Sequence, residues 1–180
     1  QESIAKKVIK KLQKRMETLV VGNPLDKNTD IGAINSVEQL DRIKKLVKAG
    51  KQEGACMWQP PGGVPRKGNW FKPTLFTECA QSHRIVQEEI FGPVLTIQTF
   101  RTPQEALTKA NNTPYGLSGG VWTDKGSKIF KMTAGLNAGV VWANTFNKFD
   151  PTSPFGGYKE SGIGREGGLQ GLASYCQLSH

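Results

Sequence analysis

The sequence predicts an α/β protein: an open, mostly parallel sheet with helices on both faces. Apolar, β-branched runs at residues 94–100, 115–123 and 140–144 alternate with helical segments of roughly ten residues, the rhythm of parallel βαβ units covered on both sides. Apolar content of 37% and 21 glycines among 180 residues fit one sizeable folded domain with many tight turns. There is no internal repeat and no convincing domain boundary, so residues 1–180 read as a single domain. The first residue is Gln1 rather than Met, which gives the expectation of a fragment of a longer chain.

Element by element, Ile4, Val8, Leu12, Met16 and Leu19 recur at helical spacing with lysines opposite. That predicts a helix over residues 4–19, stopped by Val21-Gly22-Asn23-Pro24. Ser36 with Gln39 three positions on has the form of a capping box. The helix it opens should bury Val37, Leu40, Ile43 and Val47 and close at Gly50 as C-cap. Residues 55–58 read as a short strand and 60–69 as a Pro/Gly loop. Residues 70–76 are extended but interrupted by Pro73, which cannot donate to a ladder, so an edge position or a broken strand is expected. After the strand at 94–100, Thr102-Pro103-Gln104-Glu105 starts a helix with proline at its first position. Residues 115–123 form the next strand, and Asp124 caps a helix around 128–134. Residues 140–144 are a buried strand, 145–163 a long loop and 169–174 a short helix.

Net charge is +9, and half of the 24 Lys and Arg residues lie within the first 51 positions. A basic surface attracts phosphates without sequence preference. Here the cations sit on the outer faces of two amphipathic helices with no interleaved aromatics, so a solvated helix face is the preferred reading and no nucleic-acid partner is expected. Salt-sensitive binding to duplex DNA would support the other view. No run is long enough to insert in a membrane, and the polar N-terminus is not a signal peptide. Cys56, Cys79 and Cys176 are odd in number and widely spaced, which predicts neither a disulfide framework nor zinc. With His83 and His180 isolated, no metal site is expected. The compartment expected is a reducing, cytoplasmic one.

Two stretches carry the chemistry. Gln87-Glu88-Glu89-Ile90-Phe91-Gly92-Pro93-Val94-Leu95 sets a carboxylate, a ring and a Gly-Pro turn before a strand. A carboxylate there can accept both hydroxyls of a ribose, and a ring two residues on can pack against a flat heterocycle. Downstream, Val141-Trp142-Ala143-Asn144 precedes Ser153-Pro154-Phe155-Gly156-Gly157-Tyr158-Lys159-Glu160-Ser161-Gly162-Ile163-Gly164. Together, in this order and spacing, they resemble the C-terminal, catalytic-domain part of the NAD(P)-dependent aldehyde dehydrogenases, over nearly the whole chain. The wording of Asn147-Lys148-Phe149-Asp150-Pro151-Thr152-Ser153 is most similar to the family 16 branch, some members of which lack the nucleophile.

The resemblance implies oxidation of an aldehyde to a carboxylic acid with NAD or NADP, no metal, and a homo-oligomeric parent. Glu89 and Phe91 take the family positions holding the nicotinamide ribose and ring, with Glu88 left to solvent. Gln39 and Arg42 fall where the family approaches the cofactor, although Gln39 is also the capping residue of its own helix. Phe155 matches a position lining the aldehyde tunnel, against the alternative of a core aromatic. Asn144 resembles the residue bracing the active-site loop, though asparagine at a strand end is also a turn-former. Gly156 and Gly157 would let the loop pass close to other backbone. Gly162-Ile163-Gly164-Arg165-Glu166-Gly167 spells a dinucleotide fingerprint but lacks the preceding strand and the later acidic residue, so it reads as a glycine-rich turn.

In the family a cysteine thiolate attacks the aldehyde, and a glutamate-activated water releases the acid. Both groups lie upstream of the position matching Gln1, as does the nucleotide-binding lobe. None of the three cysteines here has the family nucleophile context. The fragment alone is therefore expected to be inactive, and a non-catalytic module used for assembly or partner binding is the alternative. The tail, residues 173–178, alternates like a half-buried strand and matches a subunit-joining segment, so an exposed edge strand or a disordered tail is expected there.

Overall fold

The computed structural model describes residues 1–177. It divides into two compact units, the first Gln1–Arg101 and the second from Thr102 onward. Both are built of helices and short strands, and the strand pairs include the parallel pairs β2–β3 and β5–β6 and the antiparallel pairs β1–β2 and β4–β7.

The first unit holds α1 (Glu2–Met16), α2 (Val37–Gln52), β1 (Cys56–Trp58), β2 (Thr74–Thr77), α3 (Arg84–Gln87) and β3 (Val94–Thr96). Its sheet runs β1-β2-β3, with Met57 opposite Phe76 and Leu75 opposite Leu95. Of the two alternatives, the broken strand holds: β2 starts only after Pro73, and it occupies the centre of its sheet, not an edge. The core gathers Ile43, Leu46, Val47, Ala55, Phe76, Ile85 and Ile90. Burying one such side chain contributes about 1.5–3 kcal/mol. Thr74, fully buried, accepts from Gln59 Nε2 at 2.8 Å and donates to the Lys72 carbonyl at 2.8 Å.

Helix α2 begins as expected, with the Ser36 hydroxyl accepting from Gln39 N at 3.1 Å. Its buried stripe differs in one member: Val37 is exposed at the first turn, and Leu46 is buried instead. Gly50 is not the C-cap. It lies inside the helix, where a Cβ would meet Ile85 Cδ1 at 2.6 Å, while Gly54 at φ +95° makes the left-handed exit. Along α1 the apolar stripe reaches the core only at Met16; Ile4 and Val8 are exposed. The N-terminus is tied by Glu2 N donating to Phe100 O at 2.8 Å and by an Arg101–Glu2 pair at 2.9 Å.

The second unit holds α4 (Pro103–Asn111), β4 (Tyr115–Gly116), β5 (Ser118–Val121), α5 (Gly126–Gly135), β6 (Val140–Ala143), β7 (Tyr158–Lys159) and α6 (Gly168–Ala173). Thr102 caps α4 through Glu105 N at 3.1 Å, with Pro103 at its first position. The single strand expected over 115–123 is broken at Leu117, because β4 pairs with β7 and β5 with β6. Asp124 does not cap α5; Lys125 holds that position without a side-chain bond. The expected edge strand at the tail is also corrected. Ala173 ends α6, Ser174 and Tyr175 turn, and Leu178 lies outside the described residues.

Candidate functional site

Four of the residues singled out in sequence meet in the first unit. Gln39 and Arg42 are one turn apart on α2 and so share a face. Gln39 Nε2 donates to the carbonyls of Ile90 at 2.9 Å and Phe91 at 3.1 Å. Arg42 Nη2 donates to the carbonyl of Glu89 at 3.2 Å. The capping box is thus half formed: the Ser36 hydroxyl caps the helix, while the Gln39 amide turns away to hold the 89–91 turn. Two side chains grip three consecutive carbonyls.

What they hold is a strained turn. Phe91 adopts φ 53°, a left-handed conformation that costs a residue with a side chain about 1–2 kcal/mol. Ile90 is buried at 8% beneath it, and Gly92 passes so close to Ile43 that a Cβ would meet its Cδ1 at 2.5 Å. The Phe91 ring is left 71% exposed, and Glu89 is exposed beside it. A preset ring next to a carboxylate on a rigid turn suits a flat, polyhydroxylated ligand such as a nicotinamide ribose, so the residues present fit the group the resemblance implies. Glu88 stays at the surface as expected, its side chain about 40% exposed, but it is paired. Arg84 Nε and Nη2 donate to its two oxygens at 2.5 and 3.1 Å, and this holds its carboxyl below the usual range.

The second unit contains Asn144 and Phe155. Asn144, at φ 55° just past β6, accepts from Thr123 N at 2.9 Å and donates to Thr123 O at 3.0 Å. That reciprocal amide pairing joins the end of β6 to the end of β5. The Phe155 ring packs edge-on against Phe149 at 5.1 Å, and Phe149 packs in turn against Trp142 at 5.4 Å, with Phe146 at 5.0 Å from Trp142. Sequence reading missed this aromatic cluster, although four rings within fourteen residues were a visible signal. It also missed Lys159, whose ammonium donates to the carbonyls of Asn111 at 3.2 Å and Thr113 at 3.0 Å. Gly156 does allow a close approach, since a Cβ there would run into the Gly164 carbonyl oxygen.

A groove of about 470 Å³ runs beside α2, lined by Lys44, Lys48, Lys51, Met57 and Phe71, and a cavity of about 290 Å³ lies along Tyr115–Gly120. Neither includes Glu89, Phe91 or Phe155. Among the described residues no group of three or more His, Cys, Asp and Glu side chains could hold a metal, and no helix is long and apolar enough to cross a membrane.

The family model described as aldehyde dehydrogenase family matches residues 1–180. Betaine aldehyde dehydrogenase of Bacillus subtilis is 38% identical over 184 residues, covering 100% of this chain and 38% of that protein. Acetaldehyde dehydrogenase 2 of Cupriavidus necator is 43% identical over 185 residues, covering 100% and 36%. A solved structure of the Staphylococcus aureus betaine aldehyde dehydrogenase in complex with NAD+ superposes with a TM-score of 0.91 at 40% identity, over 97% of this chain and 36% of that one. The chain therefore spans 36–38% of the length of these curated relatives.

Proposed function

This chain belongs to the aldehyde dehydrogenase family, and from that membership we propose that the protein carrying it oxidises aldehydes to carboxylic acids with NAD or NADP. The bound dinucleotide would supply the hydride acceptor. Residues 1–180 form part of the catalytic lobe of a homo-oligomeric, cytoplasmic parent. Glu89 receives the nicotinamide-ribose hydroxyls, Phe91 lies beside the nicotinamide, and Gln39 and Arg42 keep both in place. Phe155 lines the aldehyde passage, and Asn144 braces the loop that leads to it. The attacking cysteine and the water-activating glutamate come from other segments of the parent.

The single observation behind this reading is the 89–91 turn. A left-handed, exposed phenylalanine pinned by Gln39 and Arg42 is costly unless the ring has a ligand to meet. Glu89→Gln in the full-length protein tests it. Loss of a charged hydrogen bond costs about 1.5–3 kcal/mol, so NAD affinity should fall roughly ten- to a hundredfold with the melting temperature unchanged. Unchanged affinity with a lowered melting temperature would leave the turn a purely structural device.

The Asn147-to-Ser153 wording favours a second reading, a family 16 type module that keeps the fold without turnover. A full-length protein that binds NAD yet oxidises no aldehyde would establish it.

A further inference from the structure

Building on the proposed role of Phe155 as a lining residue, we propose that Arg165 is a positioning residue that fixes Phe155 and so sets the size of aldehyde accepted. The half-buried guanidinium is the hub of its loop. Arg165 Nη1 reaches the carbonyls of Gly157 at 2.8 Å, Gly164 at 2.8 Å and Ile163 at 3.2 Å. The guanidinium also lies over the Tyr158 ring, 4.8 Å from its centroid. A Cβ on Gly156 would meet Arg165 Nη1 at 2.8 Å and Cδ at 2.9 Å, so the side chain runs directly along the backbone beside Phe155.

The two legs of this loop close on Phe155 itself. Phe155 N donates to Glu166 O and Glu166 N donates to Phe155 O, both at 2.7 Å. Arg165 thus ties residues 157, 163 and 164 together just inside the pair that carries the Phe155 ring. Its partners among the described residues are carbonyls and a ring, with no carboxylate. A planar, multi-donor guanidinium can serve several carbonyls and a ring at once, which an ammonium reproduces only in part. Loosening the clamp would let Phe155 shift against Phe149, and with it the width of the passage.

The test uses the full-length protein with acetaldehyde and phenylacetaldehyde as small and bulky substrates. Arg165→Met should change the ratio of their kcat/KM values by roughly tenfold, mainly through KM, with KM for NAD unchanged. Arg165→Lys, which keeps the charge, should recover part of the ratio. In a Phe155→Ala background, Arg165→Met should add nothing. An equal loss for both aldehydes, or an effect that adds fully to Phe155→Ala, overturns the positioning role. A ratio untouched by Phe155→Ala removes the lining role itself, a different result from a ratio that Phe155→Ala moves and Arg165→Met does not. Amide hydrogen exchange reads the clamp without turnover: Phe155 and Glu166 should exchange faster in Arg165→Met, and unchanged protection also overturns the proposal.

Discussion

The Cys56 thiol donates to a Glu78 carboxylate oxygen at 3.2 Å, and that hydrogen bond, reinforced by the carboxylate charge, pushes the thiol pKa up. A thiolate there would face a like charge. Since the thiolate is the reactive form, the Glu78 contact disfavours reaction at an exposed cysteine. Glu78→Gln should lower the thiol pKa and speed alkylation of Cys56 by iodoacetamide several-fold at pH 8, followed by peptide mass spectrometry; an unchanged rate would show that the carboxylate does not control the thiol. Arg84 acts on Glu88 in the opposite sense, holding its carboxyl low. The folded pKa lies below the unfolded one, so the pair's contribution is present above about pH 4.3. It is lost as the pH falls through the folded value. Both side chains are about 40% exposed, so solvent screens the pair and its contribution is small. Glu88→Gln should therefore lower the melting temperature by roughly 1–2 °C at pH 7. The difference should vanish in strong acid; one that persisted there would mean the carboxylate's charge is not its source.

Gly50 shows how an element's own preferences yield to its neighbours. Alanine is favoured over glycine inside a helix by about 1 kcal/mol. A methyl at position 50, however, would meet Ile85 Cδ1 at 2.6 Å and Cγ2 at 2.9 Å, and Ile85 is 3% exposed with little room to turn. Overpacking costs about 1–3 kcal/mol, so Gly50→Ala should destabilise by about 1 kcal/mol in urea unfolding. Ile85→Val in that background should cost less than it does alone; a raised midpoint for Gly50→Ala would mean that propensity wins. The same distinction marks what was legible in the sequence. The Ser36 and Thr102 caps and Pro103 at its helix start were readable, because their partners lie within three residues. The central place of β2, the break at Leu117 and the role of Gly50 were not, since each is set by a segment tens of residues away. Gln39 shows both sides: its N–H follows the local cap, while its amide answers to carbonyls 51 and 52 residues on.

The molecule as a whole divides its candidate chemistry between its units, the 89–91 turn in the first and the Trp142–Phe155 aromatic cluster in the second. The positions named from sequence in each unit lie in contiguous motifs, which is why a linear reading could single them out. It missed the Arg165 clamp because a cation bound to carbonyls leaves no charge partner in the pattern. A thioester-forming reaction needs more than these two sites. It needs a nucleophilic thiol, and among the described residues none of the three cysteines has a histidine partner. The Glu78 hydrogen bond pushes the Cys56 thiol up, and burial pushes the Cys79 thiol up. Cys176 is exposed beyond α6, and among the described residues no cysteine is hydrogen-bonded to a histidine. The 180-residue chain by itself should therefore generate no NADH above the enzyme-free rate. NADH fluorescence with acetaldehyde and NAD measures this directly. Turnover that disappears on replacing Cys56, Cys79 or Cys176 would place the nucleophile within this chain and refute the assignment of that role to another segment of the parent.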